Sequence, residues 1–252
     1  MSYSGKSEQI KGFKSAINSC KRIVGFTGAG ISTESDIPDY RSKGGIWDKF
    51  KPVYFDEFLS DEKKRFLYWQ RKQELWESIR SAVPNKVHMF FKHLYDERKL
   101  IGLVTQNIDG LHEKSGLPRE IMVNLHGTNL EVICLKCGFI LPSEEVLDDL
   151  DLEQGVPLCQ RCGGLLKPNT ISFGQSLREE DLDKARTLSL SCDLMIVVGS
   201  TLVVQPAASF PLIAKKNGAL LVIISLSETP LDNDADYVFH QKMGDLLNRI
   251  YS

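Results

Sequence analysis

The sequence predicts an α/β fold: a Rossmann-like, mostly parallel sheet with helices on both faces, plus a smaller zinc-binding module and a helical insertion. Three observations predict it. Residues 22–27, 100–105, 194–198 and 220–226 are short runs rich in branched apolar residues, the pattern of strands buried on both faces. Helical spacing fills the chain between them, and strands alternating with helices imply parallel pairing. Polar and glycine-bearing motifs follow directly on the strands, where sheets of this kind bind ligands.

Each element follows in order. Residues 8–20 place Ile10, Phe13, Ala16 and Ile17 on one face of an amphipathic helix. The strand at 22–27 ends in Gly28-Ala29-Gly30, with Ser32 and Thr33 just beyond. Strand, glycine turn and hydroxyl-rich helix start together describe a nucleotide-binding opening, whose function would be close backbone approach to a pyrophosphate. Residues 35–53 contain Pro38, Gly44, Gly45 and Pro52, so a long irregular segment is expected; loops of that length in compact domains are usually functional or disordered. Helices follow over 61–80 and, after Pro84, over 85–98. The strand at 100–105 ends in Gln106-Asn107-Ile108-Asp109. Residues 128–168 break the rhythm and read as an inserted module. The alternation resumes with a strand at 170–173, a helix near 178–190 and the strand at 194–198, which ends in Gly199-Ser200-Thr201. A helix near 206–217, the strand at 220–226, a short apolar stretch at 237–240 and a last helix complete the chain.

The 252 residues are 42% hydrophobic and 25% charged, enough to bury a sizeable core without disulfides. A net charge of −2 argues against a general polyanion-binding surface, so no nucleic-acid partner is implied. The N-terminal stretch lacks the apolar core of a signal peptide, and no window approaches the ~18 apolar residues of a membrane helix. A cytoplasmic protein is the expectation.

Four of the six cysteines fall in two Cys-x-x-Cys pairs, Cys134/Cys137 and Cys159/Cys162, with 21 residues between the pairs. In a reducing compartment that arrangement favours metal over disulfide. Two residues between thiolates let a tight turn aim both sulfurs at one ion, and two such turns complete a tetrahedron. Four thiolates leave no open coordination position, so the metal is structural, and the paired knuckle pattern favours zinc over an iron–sulfur cluster. Cys20 and Cys192 stand alone beside apolar segments and read as buried free thiols.

A hydride-transferring Rossmann enzyme carries G-x-G-x-x-G and an acidic residue about 20 positions on, at the end of the second strand. Position 33 is threonine, and the region around 50 reads as loop. A simple dehydrogenase is disfavoured. The ordered set Gly28-Ala-Gly-Ile-Ser32, Ile37-Pro-Asp-Tyr-Arg41, Thr105-Gln-Asn-Ile-Asp-Gly-Leu-His112, Leu125-His-Gly127, the two cysteine pairs, Ile171-Ser-Phe-Gly174, Gly199-Ser-Thr-Leu202 and Pro206-Ala-Ala208 resembles the sirtuins, with a bacterial or archaeal-type catalytic core. The resemblance covers about residues 8–248.

That resemblance implies an NAD-dependent protein-lysine deacylase. It would transfer the acyl group of an acyl-lysine protein or peptide to ADP-ribose and release nicotinamide. Residues 8–39, 85–127 and 168–248 would form the large domain, 40–84 the cofactor loop and helical insertion, and 128–167 the zinc module. His126 matches the family's general base, a role suited to an imidazole titrating near neutrality. Asn107 matches the residue that orients the ribose and a water, and Gln106 another ribose contact. Ile108 and Asp109 match the site for the nicotinamide amide. Gly28, Ala29, Gly30, Ser32, Asp39, Tyr40, Arg41, Gly199, Ser200, Thr201 and Ser225 fall at matching cofactor positions. Ile171, Phe173, Gly174 and Ser176 fall on the substrate side, where a strand at 171–176 would pair with the peptide backbone. His112 reads as a packing or local capping residue.

Three positions depart from the family pattern. Tyr40 stands where phenylalanine is usual, Ser225 where asparagine commonly holds the adenosine ribose, and Gln175 where glutamate is common. The last predicts a weaker preference for basic flanking residues. Tyr68 and Arg71 have the Tyr-x-x-Arg spelling of sirtuins that prefer succinyl- or malonyl-lysine, set against accidental spacing on an amphipathic helix. Two other readings stay open beside the deacylase: ADP-ribosyl transfer to protein, and a non-catalytic nucleotide sensor.

Overall fold

The computed structural model describes residues 3–40 and 44–251. Helix α1 (Tyr3–Ser19) buries Phe13, Ala16 and Ile17 and leads into β1 (Ile23–Thr27), whose five residues are all buried. A 3-10 turn over Ala29–Ser35 follows instead of the α-helix start expected there. Short α2 (Ile46–Lys49), α3 (Phe55–Ser60) and long α4 (Glu62–Ser81) come next. Asp61 caps α4 by accepting from the Lys63 and Lys64 amides, and Asn85 caps α5 (Lys86–Asp96) by accepting from Val87. The chain continues through β2 (Leu100–Thr105), α6 (Leu111–Lys114) and β3 (Met122–Asn124). Then come β4 (Gly127–Cys134), β5 (Ile140–Pro142), α7 (Glu144–Leu147) and β6 (Leu166–Thr170). Helix α8 (Glu179–Ser191), β7 (Leu194–Val198), α9 (Phe210–Lys216), β8 (Leu220–Ile224), β9 (Tyr237–Phe239) and α10 (Met243–Tyr251) complete it.

Six strands form one parallel sheet in the order β3-β2-β1-β7-β8-β9. Strand alternation sends Ile23 to one face, with Phe13, Phe91, Leu103 and Leu246, and Val24 and Phe26 to the other, with Val197, Phe210 and Ile223. Both faces are therefore apolar and both are covered, which is why these strands read as continuous hydrophobic runs. The winding direction reverses between β1 and β7, which pair in register from Ile23↔Leu194 to Thr27↔Val198. The crevice beyond the carboxyl ends of such a strand pair is the ligand position of doubly wound sheets.

The other three strands form a separate antiparallel sheet, β5-β4-β6. The strand expected at 170–173 lies earlier, at Leu166–Thr170, and stops where 171–176 turn away from the ladder. Lys167 and Pro168 hid it. Lys167 is nonetheless buried, and Pro168 is tolerated because β6 is an edge strand with no neighbour on one side. Among the described residues, no helix is long and apolar enough to cross a membrane.

Two buried histidines, His88 on α5 and His112 on α6, meet edge to face with ring centroids 4.9 Å apart. Burial pushes His88 down to about 4 and His112 well below the ordinary histidine value. The folded chain holds both neutral while the unfolded chain takes up protons from about pH 6.5 downward. Their contribution is thus complete above that pH and is lost as pH falls toward 4. Thermal unfolding across pH 7.5 to 4.5 should show this loss, roughly 3 kcal/mol for His88 alone at the acid end. His88→Gln should flatten the slope, and an unchanged slope would mean that His88 is not the titrating group.

Candidate active site and metal centre

Two loops cross at the carboxyl ends of β1 and β7. The Gly28 amide donates to Val198 O at 3.0 Å and the Gly30 amide to Gly199 O at 2.9 Å. A Cβ on Gly28 would stand 2.7 Å from Gly199 O, and one on Gly30 2.9 Å from Gly199 Cα. Gly199 itself has φ of 67° and its own Cβ would fall 2.5 Å from the Ile31 nitrogen. These glycines are required by backbone-to-backbone contact between the loops. The amides of Gly28 and Gly30 are both bonded to the β7 end.

The loop after β2 packs beside this crossing. Ser32 Oγ donates to Asp109 Oδ2 at 2.7 Å and lies 3.2 Å from the Asn107 amide nitrogen, which donates to it. Asp109 Oδ1 accepts from the Leu111 amide at 2.9 Å, and burial raises the carboxyl above the usual aspartate range. Gln106 Nε2 donates to Ser200 Oγ at 2.8 Å, joining the β2 loop to the β7 loop. Asn107 Oδ1 is buried without a hydrogen-bond partner. A buried orphan acceptor is costly, and a ligand hydroxyl would satisfy it.

His126 stands half-buried between β3 and β4, its Nδ1 3.0 Å from the Gln106 carbonyl oxygen. A carbonyl can only accept, so Nδ1 carries the hydrogen and Nε2 of the neutral ring is the basic nitrogen. The His126 carbonyl in turn accepts from the Ile171 amide at 2.8 Å, which ties the substrate-side segment to the same point. Asp39 and half-buried Tyr40 end the first described segment; burial, then Asp109 and Tyr68, raise the Tyr40 phenol above its ordinary value. Arg41 lies outside the described residues. Ala29, Ile108 and Thr201 are half-buried around the crossing, and the Ile108 carbonyl accepts from Asn129.

Ser225 directly follows β8 in a small crevice shared with Gly30, Glu34, Gly199, Gln241 and Lys242. Gln241 was not foreseen from sequence. Its Nε2 is buried without a partner in that crevice. The one local signal was its position just after the short apolar stretch at 237–240.

In the segment expected on the substrate side, the exposed Phe173 ring lies 5.9 Å from Tyr54, and its carbonyl accepts from the Phe55 amide at 2.9 Å. Gly174 has φ of 80°, Ser176 is exposed, and Gln175 Oε1 accepts from the Ser172 amide at 3.1 Å. The segment is a turn closed on itself and on α3, so the expected strand at 171–176 is absent. Arg71 bonds the Lys51 carbonyl and lies over the Phe50 ring, 5.3 Å from its centroid. Tyr68 is buried with its hydroxyl 3.2 Å from Thr170 Oγ1. Lys72 Nζ and Lys167 Nζ lie 5.5 and 5.7 Å from the Tyr68 ring centroid. Burial pushes Lys72 down to about 8 and Lys167 to about 7, with Lys72 and Arg178 adding to the second shift.

The four module cysteines converge. Their sulfurs all lie within 4.8 Å of one another, Cys134–Cys162 at 3.5 Å and Cys137–Cys159 at 3.8 Å. A Zn–S length of ~2.3 Å in a tetrahedron requires sulfurs ~3.8 Å apart, so the donor set and its spacing fit zinc. The two knuckles match: the Gly138 amide donates to Cys134 O and the Gly163 amide to Cys159 O, both glycines having positive φ. Amides of Cys137 and Lys136 lower the Cys134 thiol, while burial and the neighbouring sulfurs raise Cys162. Cys134→Ser should lose zinc by elemental analysis and melt at lower temperature; full zinc content in that variant would show that these sulfurs are not the site.

The sequence model of the Sir2 family matches residues 28–206. An NAD-dependent protein deacetylase of Bradyrhizobium diazoefficiens is 43% identical over 231 residues, covering 92% of this chain and 91% of that one. An NAD-dependent protein deacylase of Aquifex aeolicus is 38% identical over 232 residues, covering 91% and 93%. Among solved structures, a Sir2 homologue mutant complexed with ADP-ribose aligns with TM-score 0.87 at 34% identity, over 95% of this chain and 94% of that one. A Sir2 enzyme bound to a propionylated peptide aligns with TM-score 0.84 at 35% identity, over 96% of each. Likeness of this extent, over nearly the full length of both partners, means that the chain belongs to the Sir2 family, the sirtuins.

Proposed function

We infer that this chain is an NAD-dependent protein-lysine deacylase, which moves the acyl group of an acylated lysine to ADP-ribose, consumes a water, and releases nicotinamide, O-acyl-ADP-ribose and the free lysine. The observation that carries the reading is His126: its Nδ1 is fixed as a donor on the Gln106 carbonyl, one residue from Asn107 with its orphan buried acceptor. NAD would supply the electrophilic ribose carbon, to which the acyl oxygen of the substrate bonds as nicotinamide leaves. Asn107 Oδ1 would accept a ribose hydroxyl, and Asp109 would receive the nicotinamide amide in a buried pocket. Fixing the departing ring there favours cleavage through orientation and preorganised electrostatics. His126 Nε2 would take a proton from a ribose hydroxyl, making it nucleophilic toward the acyl carbon. Ile171 and Phe173 would line the acyl-lysine entry. The large domain would comprise 8–39, 85–127 and 168–248, with zinc on the four cysteines holding the module at 128–167 in shape. A cytoplasmic setting, where thiols stay reduced, suits that ligand set.

Acetyl-lysine is the leading substrate. Lys72 and Lys167 flank Tyr68, Lys72 donating to Asn129 Oδ1 and Lys167 to the Thr170 carbonyl, and two cations there favour a second reading in which acyl groups ending in a carboxylate are accepted. Arg71, turned to Lys51, takes no part in it. A single assay with competing acetyl- and succinyl-peptides decides between them, the faster-consumed peptide naming the preference.

Incubation of acetyl-peptide with and without NAD, followed by mass spectrometry, should yield free peptide, nicotinamide and O-acetyl-ADP-ribose only when NAD is present. Labelled ADP-ribose on protein instead would select the transferase reading. His126→Ala should lower turnover by roughly 100-fold or more with the fold intact. Wild-type turnover in that variant removes the proposed base.

A further inference from the structure

We propose that His112, acting through Thr27 and Thr105, is a positioning residue for Asn107; the role rests on the deacylase reading of the site. Thr27 and Thr105 are the last residues of β1 and β2 and stand opposite each other in the sheet. Their hydroxyl oxygens are 2.8 Å apart. Thr105 Oγ1 accepts the Asn107 backbone N–H at 3.0 Å, and Thr27 Oγ1 lies 3.0 Å from His112 Nε2. All four residues are buried, Thr27 at 0% and Thr105 and His112 at 2% exposure.

The hydrogens can be assigned along this path. The Asn107 amide can only donate, so Thr105 Oγ1 accepts there. With the Thr27 hydroxyl donating to Thr105, the Thr27 oxygen accepts from His112, which places the imidazole hydrogen on Nε2. His112 Nδ1 is then an acceptor, and it is buried without a partner. His88 is its complement: Nδ1 accepts the Asn85 amide at 3.2 Å, so Nε2 carries the hydrogen, and that atom too is buried without a partner. The two rings meet edge to face at 4.9 Å, one with a surplus donor and the other with a surplus acceptor.

The path continues to the cofactor side. The Asn85 side-chain amide donates to the Ile31 carbonyl at 2.7 Å and to Ser35 Oγ at 2.9 Å, holding the 3-10 turn that carries Ser32. Ser32 in turn accepts from the Asn107 side chain. Asn107 is therefore gripped at its backbone through threonine and histidine and at its side chain through serine, and both grips lead to the start of α5. A loop residue that orients a reacting sugar needs such a mount, because a misplacement of about 1 Å can cost 100-fold in rate.

The test uses His112→Leu, His112→Gln, whose amide nitrogen can reach the Nε2 position, and the near-isosteric Thr27→Val and Thr105→Val, each in the zinc-loaded full chain. His112→Leu and both valine variants should lose about 10-fold or more in kcat with little change in peptide KM. His112→Gln should recover most of the loss. The double variant His112→Leu/Thr105→Val should be no worse than the poorer single, because both break one chain. Hydrogen exchange at the Asn107 amide, read independently of turnover, should speed up in His112→Leu while β1 and β7 stay protected. A wild-type protein without NAD-dependent turnover defeats the activity reading alone, and the exchange measurement still decides the positioning. Unchanged Asn107 exchange in both His112→Leu and Thr27→Val, or additive kcat losses, overturns the proposal.

Discussion

The contact between Gly30 and Gly199 sets the geometry on which the site is built. Two strand-end loops approach until backbone touches backbone, with the Gly30 amide on the Gly199 carbonyl and no room for a Cβ on either side. That closeness brings Ser32 of one loop against Asn107 and Asp109 of the next, and Ser200 of the third against Gln106. A methyl group at the crossing would push backbone against backbone, which cannot yield as a flexible side chain can. The polar contacts are consequences of the apolar sheet beneath, which fixes where the strand ends lie.

The zinc module depends on a different constraint. Its sheet has only three strands, and its largest buried side chains are shared with the helical insertion, where Phe58, Tyr68, Trp69 and Trp76 cluster with Val132, Cys134 and Leu166. The four thiolates supply cross-linking that so small a sheet cannot obtain from burial alone. Gly164 shows how closely the chain wraps the sulfurs, since a Cβ there would lie 3.0 Å from Cys134 Sγ and 3.2 Å from Cys162 Sγ.

What the sequence made legible was what local pattern encodes. The strands at 100–105 and 194–198 were read to the residue because both faces are apolar, and the cysteine pairs because ligand spacing is a local property. β6 was displaced because a lysine and a proline interrupt it, and only its edge position and the burial of Lys167 beneath aromatic rings explain them. The roles of Asn85, His88 and Gln241 were illegible for a related reason: each reaches a partner or pocket far away in sequence, as Asn85 does at Ile31. Gly28 and Gly30 stand where backbone crowds backbone, and the spacing that marks them cannot tell a phosphate neighbour from a second loop. Arg71 and Lys72 are adjacent in sequence, and only packing decides which side chain turns inward.

The bond from the Phe55 amide to the Phe173 carbonyl links regions that the chain separates by more than a hundred positions. Helix α3 and the segment after β6 are thereby fastened together, with Tyr54 and Phe173 in ring contact beside the bond. If Phe173 lines the acyl-lysine entry as proposed, the insertion forms part of the doorway itself. Evolution could retune which proteins gain entry by altering α3, leaving the sugar-handling machinery behind it untouched.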